Sequence, residues 1–587
     1  MDSSFLQLFV RKYLFKLPIS IYTRILDDLP RGYIYYYVLR IPEDGLNILD
    51  WYFNNNEVFF DLDGNGNYSG MSKIYFITSA VTMVQLLQIP EFRPKELLIM
   101  LSMSNTAKAD LEILIEQLYK LDCPRDIVLR VGNINYLNSP GPTQQQIELF
   151  LSFFNVKSLS LINLGEPLNN FEFSLLSRNV FFELKNLQHL HMSRVTVTEG
   201  DVKLPPTLIG LTIHDSNISI ESLKLPETLT ELDIANMRTS TNNGIKLPQR
   251  LTFLSIHNTN IPVDTLILPE SLKEMTISHN EVTDEQLNFL KWPGKLSYLS
   301  LPGNKLTILP LSKFPQTLEG LDASYNQFID TIDIDDNTRL PNLRVLNMRC
   351  CAANFKMLSK LSNNWPSSLE HLEMSKHDLI NTLSLTNLTN SIEHKSIPVI
   401  SRSTKIRFPN SLKYLSIALE ELPEKFETPC GVKHLYIVGS GLNIANMKLP
   451  LMLQTLHLTG IFVGNIENLH LDKFAELKDL NLTNSGITSI DTWIPPLTLT
   501  DVRISHNPIK RLSKDAPLLK CSDLRDLFLD NCEISHVDED VVLPPKLAML
   551  DLSNNKLSSW HRRFTGVYVE ISGNPSSSNI FFETEDN

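Results

Sequence analysis

Fourteen histidines and six cysteines are among the groups in this 587-residue chain that could act as bases, nucleophiles or metal ligands. Their spacing argues against each use. Cys123, Cys350, Cys351, Cys430, Cys521 and Cys532 fall at no metal-site spacing. His371 and His377 are the nearest thing to a ligand pair, yet no two histidines stand at the His-x-x-x-His interval of a metal-binding helix. The stretch DLDGNGNYSG (61–70) has the Asp-x-Asp-Gly-x-Gly flavour of a calcium loop, but it lacks the closing Glu that would bind in bidentate fashion, so it reads as a surface turn. There is no Gly-rich phosphate loop and no nucleophile elbow. The expectation is a chain with no catalytic residue, no metal and no cofactor, whose chemistry is that of a binding surface.

The elements that would position such a surface come from a repeated motif, apolar-Pro-x-x-Leu-x-x-Leu-x-Ile/Leu-x-x-Asn-x-Ile/Leu. LPPTLIGLTIHDSNI (204–218), LPESLKEMTISHNEV (268–282) and LPPKLAMLDLSNNKL (543–557) are three copies. Aligned on the first Leu, the copies run from Leu187 to Leu547 in steps of 20 to 26 residues, apart from 43 between Leu369 and Leu412. A fixed period of this size means a solenoid, in which no unit buries its apolar face without neighbours.

This pattern resembles the leucine-rich repeat. The resemblance implies an α/β solenoid with a parallel concave sheet and a protein-binding role. In Leu-x-x-Leu-x-Ile the second Leu and the Ile stand two apart and share one face of a short strand. Leu208, Leu211, Ile213 and Ile218 then form one core layer, and Leu229, Leu232 and Ile234 the next. The Asn position, kept by Asn280, Asn304, Asn326, Asn507 and Asn555, turns the chain out of the strand. Cys351 and Cys532 occupy that position in their own repeats, as the family pattern allows. Pro recurs three residues before the first Leu, which leaves little room for an outer helix. The convex segments should therefore be extended or turn-like, with helices scarce after about residue 190.

Outward-facing strand positions form ladders on the expected concave surface. One holds Phe253, Tyr298, His371, Tyr414 and His434, with Tyr436 and His457 beside it; Asp479, Asp501 and Asp526 continue further along. Aromatic and His side chains on an exposed sheet face are interface-like, although ordinary cross-strand packing would use them too. A row of like charges calls for a basic partner, unless Lys478, Arg503 and Arg525 neutralise it.

The N-terminal region differs. In YLFKLPISIYTRILDDLPRGYIYYYVLRIPEDGLNILDWY (13–52), Pro18 can start a helix on which Ile21, Ile25, Leu26 and Leu29 fall at helical spacing before Pro30 stops it. This resembles an F-box: Leu17-Pro18, an Ile-Leu-x-x-Leu-Pro helix end, and an aromatic-rich stretch closing on Trp51. The resemblance implies that Leu17, Pro18, Ile21, Ile25, Leu26, Leu29 and Pro30 dock on the adaptor of a cullin-type ubiquitin ligase while the repeats select a substrate. The middle, RGYIYYYVLRIP, departs from the usual pattern by placing Tyr where Leu and Val are common. The other reading is a helical cap on the end of the array.

The expected organisation is thus a helical F-box-like or capping region (1–56), irregular repeats with helices (57–185), regular repeats (186–575) with a loop or degenerate repeat at 380–407, and a polar tail (576–587). Net charge of −13 argues against nucleic acid. The longest apolar run, 74–89, is broken by Ser, Thr and Gln and is too short to span a membrane, so it reads as a buried helix. The N-terminus does not read as a signal peptide, and no cysteine clusters flank the array, which points to cytoplasm or nucleus. The reading is a substrate receptor with protein partners on the concave face; the alternative is a plain scaffold or regulatory binder. Bacterial effector ligases with short Pro-containing repeats are a more distant likeness, since they add a catalytic cysteine domain.

Overall fold

The structure is a computed structural model. It describes strand segments between residues 57 and 163, interrupted stretches from 180 to 450, the continuous run 451–558, and residues 566–575. All seven adaptor-docking candidates (Leu17 to Pro30) lie outside the described residues, as does all but 406–407 of the segment 380–407. Two compact units divide the chain, residues 1–276 and 277–587.

In the first unit a parallel sheet begins with Ile74–Ile77, which pairs with Glu57–Asp61; that strand in turn pairs with Glu96–Ser102. Leu129–Ile134, Ser158–Asn163, His189–Ser193, Gly210–His214, Glu231–Ala235 and Phe253–His257 follow in order. The strand at Ile74–Ile77 corrects the expectation of a helix at 74–89 over its first four residues. Ile-Tyr-Phe-Ile is β-branched and aromatic, a composition that suits a pleated surface with neighbours on hand. In the second unit, strands from Tyr298–Ser300 to Tyr568–Glu570 pair in parallel, one per repeat.

Each repeat is assembled by the same local chemistry. The Pro carbonyl accepts a hydrogen bond from the N–H of the first Leu three residues on, as in Pro205–Leu208 (3.2 Å), Pro315–Leu318 (3.1 Å) and Pro544–Leu547 (3.1 Å). Pro, which has no N–H to satisfy, therefore opens the turn that aims the chain into the strand. The residue within that turn just before the first Leu is often Ser or Thr, and its hydroxyl donates to the carbonyl of the preceding repeat's first Leu. Thr207 reaches Leu187 (2.8 Å), Ser271 reaches Leu251 (2.6 Å), Thr317 reaches Leu296 (2.7 Å) and Thr498 reaches Leu477 (2.6 Å). These hydroxyl rungs tie turns of adjacent repeats together; their signal in the sequence is the recurring Pro-x-Thr/Ser-Leu. Leu208, Leu211 and Ile213 are buried, as are Leu229, Leu232 and Ile234, forming the expected layers.

Beyond the strand, the residue just before the Asn position takes a left-handed conformation in repeat after repeat. Asp215, Asn236, Asn258, Asn484, Asn531 and Asn554 all have φ between 50° and 54°, except Asn258 at 46°. Asn and Asp enter this region at low cost, and Gly at none. At Gly460 (φ +71°) a Cβ would also meet the Gly439 carbonyl oxygen at 2.2 Å, so only Gly fits. The Asn that follows is a buried staple. Asn507 donates from its amide to the carbonyls of Leu482 (2.8 Å) and Ile504 (2.9 Å) and accepts from the N–H groups of Ser485 (2.9 Å) and Ile487 (3.0 Å). Cys532, on the same position, directs its buried thiol at the Ile504 carbonyl (3.4 Å), and burial pushes the thiol pKa up to about 12.

Outer segments after residue 190 hold one described α-helix, Asp284–Phe289, together with short 3-10 turns at Val263–Thr265, Leu311–Lys313, Ile466–Leu469, Leu471–Lys473 and Pro517–Lys520. Two-residue strands pair between neighbouring repeats, as in Ile308–Leu309 with Thr331–Ile332 and Arg511–Leu512 with His536–Val537. At the latter, Arg511 grips the carboxylate of Asp538 with Nε (2.6 Å) and Nη2 (2.7 Å), and the Lys514 N–H adds a third bond (3.1 Å). The guanidinium holds this carboxyl far below its usual range, at about 2.

Candidate protein-binding face

Strand register decides which outward side chains meet. In the second unit one ladder runs His371, Tyr414, His434, Thr455, Asp479, Asp501, Asp526, Met549 and Tyr568. The parallel ladder two residues on runs through Glu373, Ser416, Tyr436, His457, Asn481, Arg503 and Phe528.

Five of the expected aromatic and His residues come together. The rings of His371 and Tyr414 stack with centroids 3.9 Å apart and planes 7° apart. Tyr414 lies 5.2 Å from Tyr436 and 6.3 Å from His434, and Tyr436 meets His457 edge-on at 4.6 Å. Burial, reinforced by the charge of Glu373, raises the Tyr414 phenol well above its ordinary value; burial and then Asp479 do the same for Tyr436. Both phenols therefore stay protonated. Burial, with Lys433 nearby, lowers the His434 pKa and favours the neutral ring. The result is a stacked aromatic patch whose two phenols are uncharged.

That patch joins the carboxylate column through one bond, His457 Nε2 to Asp479 Oδ2 at 2.9 Å. Asp479, Asp501 and Asp526 then stand opposite one another in successive strands, as the sequence implied. Among the described residues no ion pair joins Lys478, Arg503 or Arg525 to the column, although the Arg525 charge acts on Asp526. Arg503 instead lays its guanidinium 4.1 Å from the centroid of the Phe528 ring. Burial, a hydrogen bond that protonated Asp526 donates to Asp501 and the Asp501 charge raise the Asp526 pKa, against which the Arg525 charge works. A carboxyl that binds its proton more tightly when folded contributes stability at low pH and loses it as pH rises through the raised value. Asp526→Asn is accordingly expected to stabilise the chain at neutral pH by about 0.5 kcal/mol, the usual scale of a like-charge cross-strand pair. The gain should shrink in acid, as denaturant melts at two pH values will register; a gain that grows in acid would contradict this account.

Two expected ladder members stand apart. Tyr298 is 48% exposed and lies over Gly320, where an added Cβ would sit 2.6 Å from its ring; Gly320 and Val345 separate it in register from His371. Phe253 belongs to the first unit, opposite Glu231. His377 lies outside the described residues, and His371 is 3.9 Å from Glu373. Sequence reading passed over Arg349, which approaches Glu373 (3.9 Å) and Tyr325 (5.6 Å to the ring centroid) from beyond the end of its strand, where the Leu-x-Leu phase gives no cue. Among the described residues no group of three or more His, Cys, Asp and Glu could hold a metal ion, and no helix is long and apolar enough to cross a membrane.

One strand per repeat, buried Leu layers, the Asn staple and a parallel sheet define a leucine-rich-repeat protein. No protein-family model matches the chain. It is similar to Transforming growth factor beta activator LRRC33 of Danio rerio, with 26% identity over 312 residues that make up 50% of this chain and 39% of the relative. Lumican of Mus musculus is 28% identical over 194 residues (31% of this chain, 54% of the relative), and lumican of Oryctolagus cuniculus 33% over 103 (17% and 53%). The chain thus spans about half or less of the length of the curated relatives it matches. Among solved structures, a Leptospira interrogans LRR protein (17% identity, TM-score 0.33, 77% of this chain and 87% of that one) and an internalin from Listeria monocytogenes (14%, 0.34, 64% and 88%) are similar. At such low overlap the class rests on the repeat geometry of this chain itself.

Proposed function

We propose that this chain is a non-catalytic protein-binding module whose partner lies against the strand face between His371 and Asp526. The observation that carries this reading is the continuity of the stacked aromatic patch with the carboxylate column at the His457–Asp479 bond. Rigid aromatic rings supply contact area at low entropic cost, and a row of carboxylates selects and orients a basic segment. A partner with an apolar anchor followed by basic residues fits both.

The finer role is that of a substrate receptor, in which the F-box-like N-terminus docks on a cullin-ligase adaptor in the cytoplasm or nucleus. Its support is the sequence of residues 13–52 alone. The plainer role, a scaffold or regulatory binder with a capped end, needs only the strand face.

One capture experiment on the full chain tests both levels. Cross-linked partners should fall roughly tenfold or more with Tyr436→Ala and with Asp501→Lys, as truncation of interface anchors does. They should persist with Lys546→Ala, which removes only an exposed ion pair to Asp523. Partners held equally by all variants would overturn the strand-face reading. In the same experiment, Leu17→Ala/Pro18→Ala/Ile25→Ala should release a cullin adaptor and nothing else; no adaptor captured by either form removes the receptor role.

A further inference from the structure

The first unit carries a site of its own. A cavity of about 170 Å³ opens on the outward side of its strands, lined among others by His189, His191, Gly210, Glu231, Asp233 and Phe253. Gly210 makes it. Its ladder neighbours on either side are His189 and Glu231, and the missing side chain leaves a gap onto which both lean: a Cβ at Gly210 would meet His189 Nδ1 at 2.6 Å and Glu231 Oε2 at 3.4 Å. Phe253, next in the ladder, forms a half-exposed aromatic wall.

Apart from its histidines, the ionisable side chains of the niche are acidic. Glu231 and Asp233 stand two apart on one strand and so point to the same side. Asp233 already accepts from His214, with Nε2 and Oδ2 3.0 Å apart. The Glu231 carboxylate makes no hydrogen bond or ion pair among the described residues, and the lining holds no Lys or Arg. An aromatic wall beside an unengaged carboxylate matches the planar guanidinium, which stacks on a ring face while pairing with an anion edge-on. The chain makes that stacking contact itself elsewhere, where Arg503 lies over Phe528.

We propose that this niche receives an arginine side chain from a protein partner, with Gly210 as floor, Phe253 as stacking wall and Glu231 as the carboxylate it pairs with. It is independent of the face between His371 and Asp526, and its failure would leave that reading untouched.

The test uses the full chain and a small probe, N-acetyl-arginine methylamide, followed by saturation-transfer NMR. Saturable binding is expected, weakened at least about tenfold when citrulline, the neutral isostere, replaces arginine, because a charge-assisted contact is lost. Glu231→Gln should weaken the arginine probe comparably and leave the citrulline probe unchanged. Gly210→Leu fills the gap and should abolish both. Glu231 is exposed, so its variant keeps the fold and decides the matter even where Gly210→Leu does not fold. Equal binding of arginine and citrulline probes, or an arginine signal unchanged in Glu231→Gln, would overturn the proposal.

Discussion

Asn507→Ala is expected to cost at least about 3 kcal/mol, a large effect for one polar side chain. Its amide is 2% exposed and bridges five backbone groups of two adjoining repeats. Alanine fills none of those roles, and each buried backbone group left unpaired costs roughly 1–3 kcal/mol, moderated by any water that enters. Repeats contact only their neighbours, so the damage should stay local. Amide exchange at Ser485 and Ile487, which donate to Asn507 Oδ1, should accelerate roughly a hundredfold. Asn342→Ala removes a single exposed bond to the Gln316 carbonyl and should change stability by less than about 0.5 kcal/mol. Unchanged protection at Ser485 and Ile487 would mean that the Asn position is replaceable and that the Leu layers alone hold the strands in register.

Trp493→Ala should be the most damaging core truncation, about 3–5 kcal/mol. Trp493 is 1% exposed and is among the largest fully buried side chains. The companion Trp493→Phe is the more discriminating variant. The buried indole N–H has no hydrogen-bond partner among the described residues, and an unpaired buried donor is itself costly. Phenylalanine gives up volume but removes that donor, so its net cost should stay below about 1.5 kcal/mol. Denaturant unfolding of the full chain, followed by backbone circular dichroism, separates the two. If Trp493→Phe costs well over about 1.5 kcal/mol, the indole N–H is satisfied by water in solution and its removal brings no gain.

Much of the fold was legible in the residues. Leu208, Leu211 and Ile213 recur in phase with Leu229, Leu232 and Ile234, and a two-residue side-chain period allows one buried face only. Pro three before Leu announced a turn rather than an outer helix, and the outer segments are turns, short 3-10 pieces and two-residue strands. The reading failed at 74–77, where an apolar run without clear period was taken for helix; continuous apolar stretches fit either state, and pairing with Glu57–Asp61 decided for strand. The hydroxyl rungs of Thr207, Ser271 and Thr498 were present as a recurring letter, but a hydroxyl before a Leu has no meaning until the neighbouring carbonyl is in place.

For the binding face the division is sharper. Sequence alone determined which residues point outward and that Asp479, Asp501 and Asp526 share one column, because a repeat that keeps its phase keeps its register. Tertiary structure alone decided which of them touch. Tyr298 turned out to lie over Gly320, and Arg503 over Phe528 rather than on the acidic column. His371 and Tyr414, 43 residues apart in the chain, stack at 3.9 Å. Parallel pairing sets strand beside strand whatever length of chain lies between them, so proximity on this surface is a property of the sheet and not of the interval between residues.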